Sequence, residues 1–344
     1  SLATMRAFAP SACAPCGASP RSGTRGALAL RAPAPAFSPR RGQGRSFASS
    51  WPAPPMDHGT VAGAVATQAP PCPATVVPAS KPGLISHDEV RALESSLDHG
   101  HSVRALYRFD AALRALSLDE FAAKLRPVML ELAFNLESFN PAFTAVLLKV
   151  QSTIGLSGYH ARDEALKRLI LPLAGEYGLH ADQPQGATHR ALFAEFYEDL
   201  LGEALEPAMR AAATSFPPAA AILYSQMMRD VLGGGGRTGD AQEQASYALG
   251  YNLAIEYLAD VEKRLELEAF RHLDERVLAP AGRRLRAWEF LEVHAEGEAE
   301  HAAIGHAAAC GLVPADHAGL LHAAAADHDR DFAAFYDALA AMLE

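Results

Sequence analysis

The chain predicts an all-α bundle preceded by a disordered N-terminal extension. From Ser86 onward apolar residues recur at helical spacing, with few β-branched clusters and no period-2 runs. Capping signals and Gly/Pro breaks divide that stretch into helices. By contrast, 13 of the 23 prolines fall in residues 1–80, a composition that does not build a packed core.

Residues 1–56 contain seven Arg and no Asp or Glu, with many Ala, Ser and Pro; the first acid is Asp57. This acid-poor, Arg- and Ser-rich composition is that of an organelle transit peptide. Its Ala, Ser and Pro content, with no strong amphipathic basic helix, favours chloroplast, mitochondrion being the alternative. The expected organisation is residues 1–80 as transit peptide and disordered linker, and 81–344 as one helical domain. No apolar run reaches about 18 residues, so no membrane span is expected. Without the first 56 residues the net charge falls from −10 to −17, which speaks against nucleic acid or an anionic membrane as partner. Cys13, Cys16 and Cys72 precede the domain and only Cys310 lies within it. That excludes a disulfide scaffold and any Cys-built zinc or iron–sulfur site there.

The elements follow in order. A first helix spans His87 to Leu97 and a His-rich turn (His99, Gly100, His101) leads to a second at Val103 to Leu116. Ser117 and Glu120 have capping-box spacing and open a helix ending near Phe139. Asn140 and Pro141 supply a cap and an N1 proline for a further helix to Ile154. Others run from Arg162 to Glu176, Thr188 to Leu205, Glu206 or Pro207 to Leu232, Asp240 to Leu267, Ala281 to Cys310 and Pro314 to Leu343. Gly233 to Gly236 lacks the Lys-Ser/Thr of a phosphate loop and reads as a hinge or mobile loop. Asp327-His-Asp-Arg-Asp331 reads as a solvated helix face, and neither its His328 nor His306 is given a role.

The densest chemistry is Glu292 to His306. At about 100° per residue, His294, Glu298 and His301 share a sector roughly 60° wide. Glu292, Glu296 and Glu300 point away from it. Two imidazoles and one carboxylate suit Fe(II) with open positions; a helix rich in Ala, Glu and His also produces such a triplet by chance. Glu256 is the only charged residue between Glu243 and Asp260. A carboxylate in so apolar a helix is costly to bury without a cation or metal; the alternative is a core acid paired with Arg or Lys. Glu176 at the end of one helix and His189 at the start of the next are further candidates, with His180 competing for the nitrogen position. The metal set Glu176, His189, Glu256, His294, Glu298 and His301 offers three carboxylates and three histidines, enough for two metal ions with open positions.

These residues resemble the haem-oxygenase-like diiron oxidases and oxygenases, iron-containing redox enzymes of the TenA/PqqC-like superfamily. The resemblance lies in Glu176-Tyr-Gly, His189-x-x-Leu-Phe193, the apolar helix bearing Glu256-Tyr, and His294-x3-Glu298-x2-His301-Ala, and covers about residues 100–340. The family more often has Asp where this chain has Glu298. The resemblance implies a haem-oxygenase-like multi-helical bundle holding two Fe(II) ions, with Mn an alternative at one site. It further implies O2, a small-molecule substrate and an electron donor as partners, a homodimer as a further expectation, and oxidation of the substrate as the activity. Tyr251, Tyr257 and Phe193 are the expected substrate contacts. Haem cleavage fits poorly because the glycine cluster lies between helices. A TenA-type hydrolase fits poorly because Cys310 lies more than two turns beyond His301. The competing class is a non-enzymatic helical binding or interaction protein of the same fold with a degenerate metal site.

Overall fold

The computed structural model describes residues 83–153, 158–179, 186–212 and 218–344. The expected transit peptide and linker, with Cys13, Cys16 and Cys72, lie outside these residues, as does His180. Ten α-helices occupy the described residues: α1 (His87–Leu97), α2 (His101–Arg114), α3 (Leu118–Ser152), α4 (Gly158–Glu176), α5 (His189–Leu201), α6 (Leu205–Ala212), α7 (Pro218–Gly233), α8 (Ala241–Leu273), α9 (Glu289–Leu312) and α10 (Ala318–Leu343). Among the described residues there is no β-strand, and Leu84 and Pro314 form one isolated bridge. None of these helices is long and apolar enough to cross a membrane.

Helix α8 is the axis of the bundle and packs against α9, α10, α2, α3 and α7. Every residue from Ala245 to Glu256 is buried, as expected of a helix apolar all round. Asp240 caps it by accepting from the N–H groups of Gln242 and Glu243. Gly250 permits its closest approach to α10, because a Cβ there would lie 2.7 Å from the Leu321 carbonyl oxygen.

Four expectations are corrected. Asn140 and Pro141 do not start a new helix, since α3 runs through both. Pro141 removes one N–H and costs the helix about 3 kcal/mol. Burial of Phe134 and Val128 before it, and of Ala142, Phe143 and Val146 after it, keeps one axis against α7 and α8. The helix expected to run to Leu205 ends at Leu201, where Gly202 takes positive φ, and α6 begins at Leu205. Helix α9 starts at Glu289, not Ala281, because backbone N–H groups ahead of it are held elsewhere: Leu285 by Asp274, and Arg286 and Ala287 by Asp199. Gly234 to Gly236 form a packed 3-10 turn, not a hinge. All three have positive φ, and a Cβ on Gly235 would lie 2.5 Å from the Tyr247 hydroxyl, so glycine is required for the turn.

The acidic run of α10 is the largest surprise. Asp327, His328, Asp329 and Asp331 are all buried, so the solvated-face reading is wrong. Asp329 caps α2 from outside its own helix, accepting from His101 N and Ser102 N at 2.8 Å each. Asp327 meets Arg237, Tyr247 and Arg330. Asp331 accepts from Tyr251. Each acid is buried because another element donates to it.

Candidate metal centre

The ligand helix α9 packs against α8, α4 and α5, and these four helices carry all six residues of the sequence-derived set. They converge as two groups of three, Glu176, His189 and His294 in one and Glu256, Glu298 and His301 in the other. Within each group the ligand atoms lie within 4.8 Å of one another.

In the first group, Thr188 caps α5 by accepting from Ala191 N at 3.1 Å. The cap fixes His189 at the helix start, where its Nδ1 is 2.8 Å from Glu176 Oε1 at the end of α4. The His189 and His294 ring centroids are 4.2 Å apart. His294 Nδ1 lies 2.6 Å from the Phe290 carbonyl. A carbonyl only accepts, so this nitrogen carries the proton and Nε2 keeps its lone pair, the outer-shell arrangement typical of metal-bound histidine. Burial first, then His189, holds the His294 pKa well below the ordinary value, keeping the ring neutral and able to ligate.

In the second group, His301 Nδ1 is 3.1 Å from Glu298 Oε2 and 3.7 Å from Glu256 Oε2. Glu256 is 1 % exposed, and neither of its oxygens has a hydrogen-bond partner. Burial, with Glu298 adding to it, pushes its pKa up to about 8, only partly offset by His301. A buried carboxylate with both oxygens unsatisfied costs several kcal/mol. It is the feature that fits a cation. The groups are electrostatically joined: Glu176 acts on Glu256 and on His301, and His301 acts on His294.

A cavity of ≈ 70 Å³ opens on this centre, reaching Glu176, His294, Glu298 and His301. Its far wall is mostly apolar, with Leu136 and Phe139 of α3, Leu223 and Met227 of α7, Ile255 of α8 and Phe332 of α10. A larger and more open groove of ≈ 280 Å³ between α4 and α9 touches none of the six. The expected aromatic contacts do not line the main cavity. Tyr251 is turned to Asp331, Tyr257 donates to Asp98, and Phe193 packs on Phe290 beside a smaller cavity.

Sequence reasoning missed three groups on the main cavity. His328 lines it with its Nδ1 unpartnered, and burial lowers its pKa to about 3, so the ring is neutral. Glu262 and Lys263 also line it. Lys263 Nζ donates to Glu262 and Glu266 at 3.0 Å each, and the Tyr336 hydroxyl joins both acids. The available signal was slight: Glu262 and Glu266 are one turn apart with Lys263 beside them, in a stretch of α8 that also carries Asp260, Arg264 and Glu268.

Fold and centre together define the class: an all-α bundle whose core brings carboxylates and histidines into two groups that could hold metal. Among solved structures, the chain is similar to the crystal structure of a CADD-like protein of unknown function from Nostoc punctiforme PCC 73102. The TM-score is 0.51 at 18 % identity, covering 74 % of this chain and 96 % of that one. At this identity the likeness is one of fold. No family model matches the chain, and no curated protein matches it in sequence.

Proposed function

We propose that the protein is a non-haem iron oxidoreductase that uses two Fe(II) ions and O2 to oxidise a small, largely apolar organic molecule. The observation that carries this reading is Glu256, whose two oxygens are buried and unpartnered beside Glu298 and His301. Mixed histidine and carboxylate sets with open positions suit iron oxygen chemistry. Glu176, His189 and His294 would hold one ion and Glu256, Glu298 and His301 the other. Bound iron would supply O2 activation and the electron transfers that go with it.

This chain's residues do the rest. The Phe290 carbonyl orients His294 through its Nδ1 proton. Without metal, Glu256 keeps a proton to about pH 8, so uptake of an ion at neutral pH releases that proton. The apolar wall of Leu136, Phe139, Met227 and Phe332 excludes water and sets the substrate's character. His328, on the same cavity, has no hydrogen-bond partner at Nδ1.

The test is anaerobic loading with Fe(II) followed by O2, recorded by an oxygen electrode and rapid visible spectroscopy. The expected result is oxygen uptake with a transient visible band, both lost in Glu298→Ala. Iron-loaded protein that takes up no oxygen and forms no band would overturn the oxidase reading and leave a helical binding protein.

A further inference from the structure

We propose a second, separate metal site, for a zinc-like late first-row divalent cation, formed by His87 Nδ1, His306 Nε2 and Cys310 Sγ between α1 and α9. The ligand atoms of these three residues lie within 4.8 Å of one another. His87 Nδ1 and His306 Nε2 face each other at 2.9 Å, with the rings nearly parallel at 17°. Glu94, two turns along α1 from His87, meets His306 Nδ1 at 2.9 Å.

The proton count makes this contact informative. The Glu94 carboxylate accepts, so His306 Nδ1 carries a proton and Nε2 faces His87 Nδ1. Either one shared proton or one metal ion occupies the space between the two nitrogens. A carboxylate on the outer nitrogen of a ligating histidine is the usual support for zinc. On α9, His306 and Cys310 are four residues apart and share a face, as helical ligands to one ion must.

The donors set the metal class. One thiolate and two imidazoles select zinc-like ions, whereas the three carboxylates of the other centre suit harder iron. The two sites lie on different sides of α9: the His306/Cys310 sector is rotated roughly 130° from that of His294, Glu298 and His301. Binding displaces the thiol proton and the proton shared by the imidazoles, and leaves the fourth tetrahedral position to water. The ion clips α1 to the helix that carries half of the iron ligands. A cysteine count excludes a zinc site built from cysteines, but not one in which two histidines carry the ion.

The test uses the full chain with Co2+ as a spectroscopic substitute for zinc. A thiolate-to-cobalt charge-transfer band in the near ultraviolet is expected at one equivalent. It should be absent in Cys310→Ser, and it should persist in Glu256→Gln and in a variant with Cys13, Cys16 and Cys72 all changed to Ser. Glu94→Gln should weaken zinc about 10- to 100-fold in competition with a chromophoric chelator. No band in the parent, or a band that survives Cys310→Ser, overturns the proposal. Should Cys310→Ser not fold, His87→Gln at the first turn of α1 carries the same test: undiminished cobalt and zinc affinity there also overturns it.

Discussion

Glu256 and the pair Glu262 and Glu266 are buried carboxylates on the same helix, within about three turns of each other, and their surroundings are opposite. Lys263 and the Tyr336 hydroxyl satisfy Glu262 and Glu266. Glu256 has no hydrogen bond at either oxygen. All three carboxylates are buried, so burial alone does not separate them. Where the chain needs a permanent counter-charge it supplies a lysine; where it leaves carboxylate oxygens free among histidines, the counter-charge we propose is an exchangeable ion.

Removing the lysine breaks the comparison from the structural side and should have the largest effect. Lys263→Met leaves two buried acids without their cation and is expected to cost about 3–5 kcal/mol, measured as a fall in the urea midpoint at unchanged m-value. Burial also pushes the Glu262 pKa up to about 7 even with Lys263 present, so the loss should be smaller in acid, where Glu262 protonates.

His328 is a buried polar group on the cavity wall with no hydrogen bond at Nδ1. Burial drives its pKa down to about 3, with Asp329 opposing only weakly. The unfolded chain therefore takes up a proton below about pH 6.5 that the folded protein refuses, and stability should fall as pH drops from about 6.5 toward 3. His328→Gln should flatten this part of the stability profile by a few kcal/mol. A profile of unchanged slope would mean that His328 is solvated.

A smaller effect of opposite sign sharpens the contrast. In metal-free protein at pH 9, above the raised pKa of Glu256, Glu256→Gln removes a buried charge and should stabilise the fold by about 1–3 kcal/mol. With iron present the order should reverse, because ligand binding stabilises only the parent. Thermal melts with and without Fe(II) separate the two cases. Asp329→Ala should have the smallest effect, about 0.5–2 kcal/mol, since it removes an N-cap from α2. Hydrogen exchange at His101 and Ser102 should rise selectively.

The helical class and the ligand helix were legible in the sequence because helical periodicity fixes which side chains share a face, whereas Glu176 and His189, on two helices across a loop, rested on the family resemblance. His294, Glu298 and His301 declare themselves on one helix, and Glu256 stands out against an uncharged stretch. What tertiary partners decide was not legible. Asp327 to Asp331 look solvated, and are buried only because α2, Arg237 and the tyrosines of α8 donate to them. Pro141 looks like a helix start, and is bridged because both halves of α3 pack on one core. His306 and Cys310 carry no signal alone; their meaning comes from His87 and Glu94, more than 200 residues away.

The central claim is that two histidine and carboxylate groups hold two irons, and counting iron tests it most directly. Protein loaded with Fe(II) without oxygen, desalted and assayed for metal should carry about two irons per chain. Glu256→Ala and Glu298→Ala should each carry fewer. Parent protein that retains no iron, or variants that retain as much as the parent, would contradict the account.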